Sequence, residues 1–270
     1  MNIIISHDVD HISVSEHLTK DLIVPKFIIR AKLDLFTGKI SLTEFYFRIT
    51  DLLKNKWHRI PELIAYNKSK NIDTSFFVGM ANGKGLSYKN ELAFYWANYI
   101  ANQQVEVGVH GIAFDNLSAI ENEFTLFKKA TALDSFGIRM HYLRNDSSTL
   151  NLLNKAGYKF DCTELAFKNP YQIGNMWEFP LQIMDGHILL GNKRRQTRTL
   201  EQAIEQTKIN VQKAVDLKLD YLNILFHDRY FDEKSFYTWF AWYTWVIEYC
   251  QQNKFEFCNY KTAIKKLEKR

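Results

Sequence analysis

Two aspartates, two histidines and an arginine stand where apolar stretches of this 270-residue chain end. Asp8 and Asp10 close the run Ile3-Ile4-Ile5-Ser6-His7-Asp8-Val9-Asp10. His110 closes Val105-Glu106-Val107-Gly108-Val109-His110. Arg144 closes the alternating stretch from Gly137, and His227 closes Tyr221-Leu222-Asn223-Ile224-Leu225-Phe226. Residues two apart on a strand point the same way, so Asp8 and Asp10 aim at one place. Two carboxylates at one place suit a metal ligand beside a general base. For an isolated D-x-D pair, a helix cap or a loop salt bridge is the alternative. Charged side chains are seldom buried without a partner, so a hydrophobic strand running into such a cluster needs a reason.

The elements that must position these residues alternate. Strands are expected at Asn2–Ile5, Asp73–Gly79, Val105–His110, Gly137–Arg144, Tyr158–Thr163 and Tyr221–Asp228, with a short one at Glu256–Asn259. A further region, Trp177–Asp185 and His187–Leu190, reads as a hairpin around the Asp185-Gly186 turn. Helices are expected between 13 and 36, from Leu42 behind the capping box Ser41…Glu44, and from Ile60 with Pro61 in its first turn. More follow at Tyr88–Asn102, Ser118–Leu133, Ser147–Ala156 closed by Gly157, and Leu200–Leu217. An aromatic helix after Ser235 and a terminal helix complete the set. Strand-helix alternation predicts an α/β fold with a parallel sheet, and the count of strands suggests a (β/α) barrel. In such a barrel the carboxyl ends of the strands share one face, where ligands bind. One histidine at a strand end is most often structural; the convergence of all five residues is the signal.

Composition sets the bounds. The chain is 46% hydrophobic and 24% charged, ordinary globular material whose length suits one domain over 1–270. The formal charge of +5 is mild, and its basic residues are scattered except for Lys193-Arg194-Arg195 and the tail Lys265 to Arg270. The triplet could meet an anionic substrate or lie in an exposed loop, and nothing resembles a nucleic-acid-binding module. The three cysteines lack metal-finger or C-x-x-C spacing and imply no disulfide framework. No signal peptide precedes the first strand and no apolar run nears the roughly 18 residues of a membrane span, so a cytoplasmic location is expected.

The sequence resembles the polysaccharide deacetylase family (carbohydrate esterase family 4, the NodB-homology fold), in its branch with a D-x-D first motif. Ser6-His7-Asp8-Val9-Asp10, Glu106 to Gly111, Arg139-Met140-His141-Tyr142-Leu143-Arg144, Trp177-Glu178-Phe179-Pro180-Leu181 and Ile224-Leu225-Phe226-His227-Asp228 carry the resemblance, in the family's order. It implies a distorted (β/α) barrel of about seven parallel strands and a single divalent metal, usually zinc. By analogy Asp8 is the general base, Asp10 and His110 are metal ligands, Arg144 orients Asp8, and His227 is the general acid. The family's second motif usually supplies another histidine four residues after the first, and here that position is Phe114. Asp115, His7, His11 or His141 could complete the ligand set. Asp115 is the first candidate, with a helix N-cap as its alternative role.

The expected activity is metal-dependent hydrolysis of an N-acyl group, acetyl foremost, on a sugar. The expected substrate is a cytoplasmic sugar nucleotide or a lipid-linked precursor of surface polysaccharide. An amidohydrolase acting on a non-sugar amide or formamido group is one rival reading. A metal-free glycan-binding protein, favoured by Phe114, is the other.

Overall fold

The apolar run at the front of the chain forms strand β1 (Asn2–Val9), and Ile3, Ile4 and Ile5 are fully buried. The computed structural model describes residues 1–18, 21–191, 193 and 195–269; Arg194 of the basic triplet and Arg270 of the tail lie outside them. The other strands are β2 (Thr74–Val78), β3 (Glu106–Gly111), β4 (Ile138–Met140), β5 (Phe160–Asp161), β6 (Tyr171–Ile173), β7 (Met176–Glu178), β8 (Ile183–Met184), β9 (Tyr221–Leu225) and β10 (Glu256–Phe257). They form one sheet in the order β6-β7-β5-β4-β3-β2-β1-β9-β8, with β10 added beside β1. Among the described residues, β6 with β7 is the antiparallel pair and the named pairings are otherwise parallel.

The sheet curls. The extended stretch 176–184 contains both β7 and β8, so its start pairs with β5 and its end with β9. Between them, Leu181 N–H donates to Glu164 O at 2.7 Å and Gln182 N–H to Asn223 O at 3.2 Å. The two sides of the curl meet through this stretch, which gives the distorted barrel expected from the sequence. Side-chain alternation along β1 sends Ile3, Ile5 and Val9 to the layer under the helices, and Ile4, Ser6 and Asp8 to the inside. There Ile4 joins Phe77, Phe160, Phe179, Tyr221 and Tyr260.

The helices are α1 (Ile23–Phe36), α2 (Leu42–Asp51), α3 (Ile60–Ser69), α4 (Asn90–Asn102), α5 (Leu117–Thr131), α6 (Thr149–Ala156), α7 (Asp185–Leu190), α8 (Leu200–Asp216), α9 (Tyr237–Gln252) and α10 (Tyr260–Leu267). Caps explain several starts. Ser41 Oγ accepts Glu44 N–H at 3.0 Å, and Thr199 with Gln202 makes a complete capping box for α8. Helix α5 is capped by Asn116, whose Oδ1 accepts Ala119 N–H, so neither Asp115 nor Ser118 serves that role. Among the described residues no helix is long and apolar enough to cross a membrane.

Three expectations change. The stretch 137–144 is a strand only over Ile138–Met140; beyond it Tyr142 (φ 59°) and Leu143 (φ 51°) turn the chain through left-handed conformations. The region 158–163 pairs only at Phe160–Asp161. Asp185-Gly186 is no hairpin turn but the start of α7, because Ile188 and Leu189 pack into the main core while the Asp185 carboxylate takes the backbone N–H of His227.

Ala132 ends α5 at φ 57°, a conformation that costs an L-residue about 1–2 kcal/mol. Ala132→Gly, at this C-terminal position where glycine is favoured, is expected to raise the urea-unfolding free energy by about 0.5–1 kcal/mol. An unchanged or lower value would show that the strain is relieved elsewhere.

Candidate active site

Asp8 is 3% exposed and faces the barrel interior. A buried carboxylate needs a partner, and Arg139, from β4, supplies it: Nη1 donates to Asp8 Oδ1 at 2.9 Å. Arg139 is itself fully buried and spends its other donors on Ser6 Oγ, Tyr260 OH and the Cys162 carbonyl. Its guanidinium carbon lies 4.6 Å from the centroid of the Phe77 ring. The arginine expected at Asp8 was Arg144; the structure places Arg139 there. Arg144 lies beyond the turn, where Nη2 donates to Ile112 O at 2.6 Å and Nε to His141 O at 3.3 Å.

Two histidines meet Asp10. His110 Nε2 is 3.2 Å and His141 Nδ1 3.3 Å from Asp10 Oδ1, and the two ring nitrogens are 2.9 Å apart. The opposite nitrogens contact carbonyls: His110 Nδ1 with Arg139 O at 3.1 Å, His141 Nε2 with Lys84 O at 3.2 Å. A carbonyl oxygen only accepts, so those nitrogens carry the protons. In the neutral rings Nε2 of His110 and Nδ1 of His141 then present lone pairs to each other and to a carboxylate oxygen that has no hydrogen-bond donor. Three converging lone pairs repel unless a cation sits among them. One carboxylate oxygen and two outwardly braced imidazole nitrogens are a fitting donor set for a divalent metal. Burial alone would raise the Asp10 carboxyl; were His141 protonated instead, its charge and hydrogen bonds from His110 and His141 would outweigh burial and hold that carboxyl well below the usual carboxylate range.

His227, after β9, completes the group. Its Nδ1 is 2.8 Å from Asp185 Oδ1 and its backbone N–H donates to Asp185 Oδ2 at 2.7 Å, leaving Nε2 toward Asp10 Oδ2 at 3.7 Å. Burial opposes the imidazolium, but the carboxylates of Asp185, Asp10 and Asp8 prevail and raise its pKa well above 6.5. Asp185 is the residue that sequence reasoning missed as functional. Its strand-end position was the available signal, hidden by the reading of Asp-Gly as a turn.

The structure therefore brings together Asp8, Asp10, His110 and His227, and adds Arg139, His141 and Asp185. It does not bring in Asp115, which is exposed and outside the Asp10, His110 and His141 group. Phe114 instead lies under the Arg144 guanidinium at 5.2 Å. The second nitrogen, the third donor of the set, comes from His141 at the end of β4, just before the left-handed Tyr142 and Leu143. Arg144 ties that turn to the loop after β3, and Glu123 of α5 holds the same loop by accepting the N–H groups of Ile112 and Ala113. His7 is a core residue, with Nδ1 donating to Phe226 O and Nε2 accepting from Asn67; burial lowers its pKa to about 3. His11 instead meets His17 at 3.1 Å. Asp161 forms a buried carboxyl pair with Glu178, and burial raises both. Trp177 packs beside the interior cluster. In the aromatic helix, Trp242 and Tyr243 are core, while Trp239 is also part of the wall of a cavity of about 880 Å³ above the site.

With this geometry in view, likeness to known proteins can be weighed. No family model matches the sequence, and neither does any curated protein. Solved structures do match. A proposed polysaccharide deacetylase from Mycobacterium smegmatis is 15% identical, with 95% of this chain and 92% of that one covered and a TM-score of 0.59. One from Pseudomonas aeruginosa PAO1 is 12% identical, with 97% and 88% covered at 0.60. A PuuE allantoinase is 10% identical over the same shares, also at 0.60. The fold is thus the NodB-like fold of the polysaccharide deacetylases, as the motif resemblance implied.

Two measurements test this layout. Arg139→Met strands the buried Asp8 carboxylate and is expected to cost about 3–5 kcal/mol in chemical denaturation, whereas Arg144→Met costs under about 1.5 kcal/mol; equal losses would contradict the assignment. Burial raises the Glu123 carboxyl to about 7 from 4.5, so the folded state binds the extra proton between those values. Stability from this group is therefore present at low pH and declines as pH rises toward 7. Glu123→Gln is expected to flatten the fall in unfolding free energy between pH 5 and 7, and an unaltered slope would mean that Glu123 does not titrate there.

Proposed function

We propose that the protein hydrolyses an N-acyl group, foremost acetyl, from a sugar, using one divalent cation held by Asp10, His110 and His141. The observation that carries this reading is the convergence of three lone pairs, unprotonated and facing each other, between a buried carboxylate and an Asp–His pair. A sugar-binding protein without a cation would gain nothing from that repulsion. The fold likeness to polysaccharide deacetylases agrees with this reading without choosing the sugar, since the allantoinase is as similar in fold. The whole chain acts as one catalytic unit in this reading.

When bound, the cation supplies Lewis acidity for the scissile carbonyl and acidifies water, to a pKa near 7 for zinc. Asp8 accepts the proton of the attacking water, and Arg139, donating to four acceptors, keeps that carboxylate oriented. As the carbon–nitrogen bond breaks, His227 gives its Nε2 proton to the departing amine. Asp185 orients the ring through Nδ1 and stabilises the imidazolium beforehand. With its side chain 21% exposed, His227 remains reachable from the cavity.

Asp8→Asn is expected to keep the thermal transition and lose acetate release from N-acetylated sugars; His227→Ala should lower turnover by about 10²–10⁴. Normal turnover in either variant removes that residue from the mechanism. Titration calorimetry with zinc, cobalt and manganese tests the ligand set: His141→Ala should weaken binding about 10-fold or more, and Asp115→Ala should leave it unchanged. No binding by the wild type to any of the three ions, with no acetate released, would favour the metal-free binding protein. Release of ammonia or formate instead of acetate would favour the non-sugar amidohydrolase.

A further inference from the structure

Among the described residues four arginines are buried: Arg48, Arg59, Arg139 and Arg229. Arg48 meets Asp34 and Glu44, Arg59 meets Asp51 and Asp232, and Arg139 meets Asp8. Arg229 is different. It is 9% exposed, its Nε has no acceptor, and it forms no ion pair among the described residues. Its guanidinium carbon lies 4.1 Å from the ring centroid of Trp57, 4.9 Å from that of Phe27 and 5.6 Å from that of Phe236. Aromatic faces stabilise the cation and leave the planar edge for an acceptor. Arg229 lines the cavity two residues after His227, so that acceptor would sit beside the reacting end.

The charge lining the cavity points the same way. Four of its carboxylates are engaged by the protein: Asp8 by Arg139, Asp185 by His227, Asp21 by His17 and Asp34 by Arg48, while Asp10 faces the metal-site nitrogens of His110 and His141. Lys26, Arg30, Lys84, Lys193 and Arg195 also line it, and Arg195 donates to Thr37 Oγ1 at 3.2 Å. One buried arginine and, besides the paired Arg48, five further cations in the lining exceed what a single carboxylate needs, and suit a phosphate or diphosphate dianion.

We propose that the cavity takes an N-acyl sugar bearing a phosphate ester, with the Arg229 guanidinium on the phosphate and Arg195, Arg30, Lys84 and Lys193 screening its charge. This rests on the sugar-deacylase reading for what the rest of the cavity binds. The volume of about 880 Å³ leaves space beyond one hexose for whatever the phosphate is esterified to.

The test is equilibrium binding of N-acetylglucosamine 1-phosphate, N-acetylglucosamine and glucuronate to zinc-loaded and to chelator-treated protein. The phosphorylated sugar is expected to bind at least about tenfold more tightly than the other two in both preparations, as a charge-assisted pair would give. Arg229→Met should erase that preference, Arg229→Lys should retain part of it, and the surface variant Arg195→Gln should reduce it without altering the melting temperature. If Arg229→Met does not fold, the lysine and Arg195 variants decide. Equal binding of phosphorylated and neutral sugar, glucuronate binding as tightly, a preference seen only with zinc, or a preference untouched by these variants would each overturn the proposal. Acetate release is scored separately. Protein that prefers the phosphate yet releases none keeps this inference and fails the hydrolytic one.

Discussion

The buried Arg139–Asp8 pair is the constraint around which the interior of the barrel is arranged. A guanidinium taken fully out of water is tolerable only if its donors and its charge are matched. Here the matching groups come from β1 (Ser6 and Asp8), from the carbonyl after β5 (Cys162) and from α10 (Tyr260). The same contacts fix the strand carrying Asp8 relative to the strand end carrying His141. The Arg139 carbonyl, in turn, sets which nitrogen of His110 carries the proton. One side chain and its own backbone thus set Asp8 and the His110 ring relative to each other.

The candidate metal site draws its donors from more than one strand end. Phe114, in the loop after β3, is an apolar platform for Arg144, and the imidazole beside Asp10 and His110 comes instead from the end of β4, as His141. Presenting it there requires Tyr142 and Leu143 in left-handed conformations, each disfavoured for an L-residue. Arg144 offsets that cost by bonding both the turn and the neighbouring loop.

Much of this was legible in the chain. The unbroken Ile3-Ile4-Ile5, the strand-helix alternation and the strand-end positions of Asp8, Asp10, His110 and His227 fixed the architecture and most of the cluster, because buried parallel strands announce themselves by composition. What stayed hidden was choice among near neighbours. Arg139 and Arg144 are both arginines on one alternating stretch, and only the point at which the strand stops tells which faces inward. Asp115 was nearer in sequence than His141, yet adjacency along the chain says little across a parallel sheet, where His110 and Arg139 are register partners. Asp185 was masked by turn chemistry, since Asp-Gly starts a short helix as readily when a distant amide waits for the carboxylate.

The stretch 176–184 also links breathing of the fold to proton affinity. It is the seam of the barrel, joined on one side to β5 and on the other to β9 by short ladders, and Asp185 is the next residue along. If the seam parts locally, Asp185 leaves with it, and His227 loses its nearest carboxylate together with the bond to its backbone amide. The ring would then relax toward an ordinary histidine. Protection of the Leu181 and Gln182 amides against solvent exchange and the protonation of His227 are therefore two readouts of one local opening equilibrium.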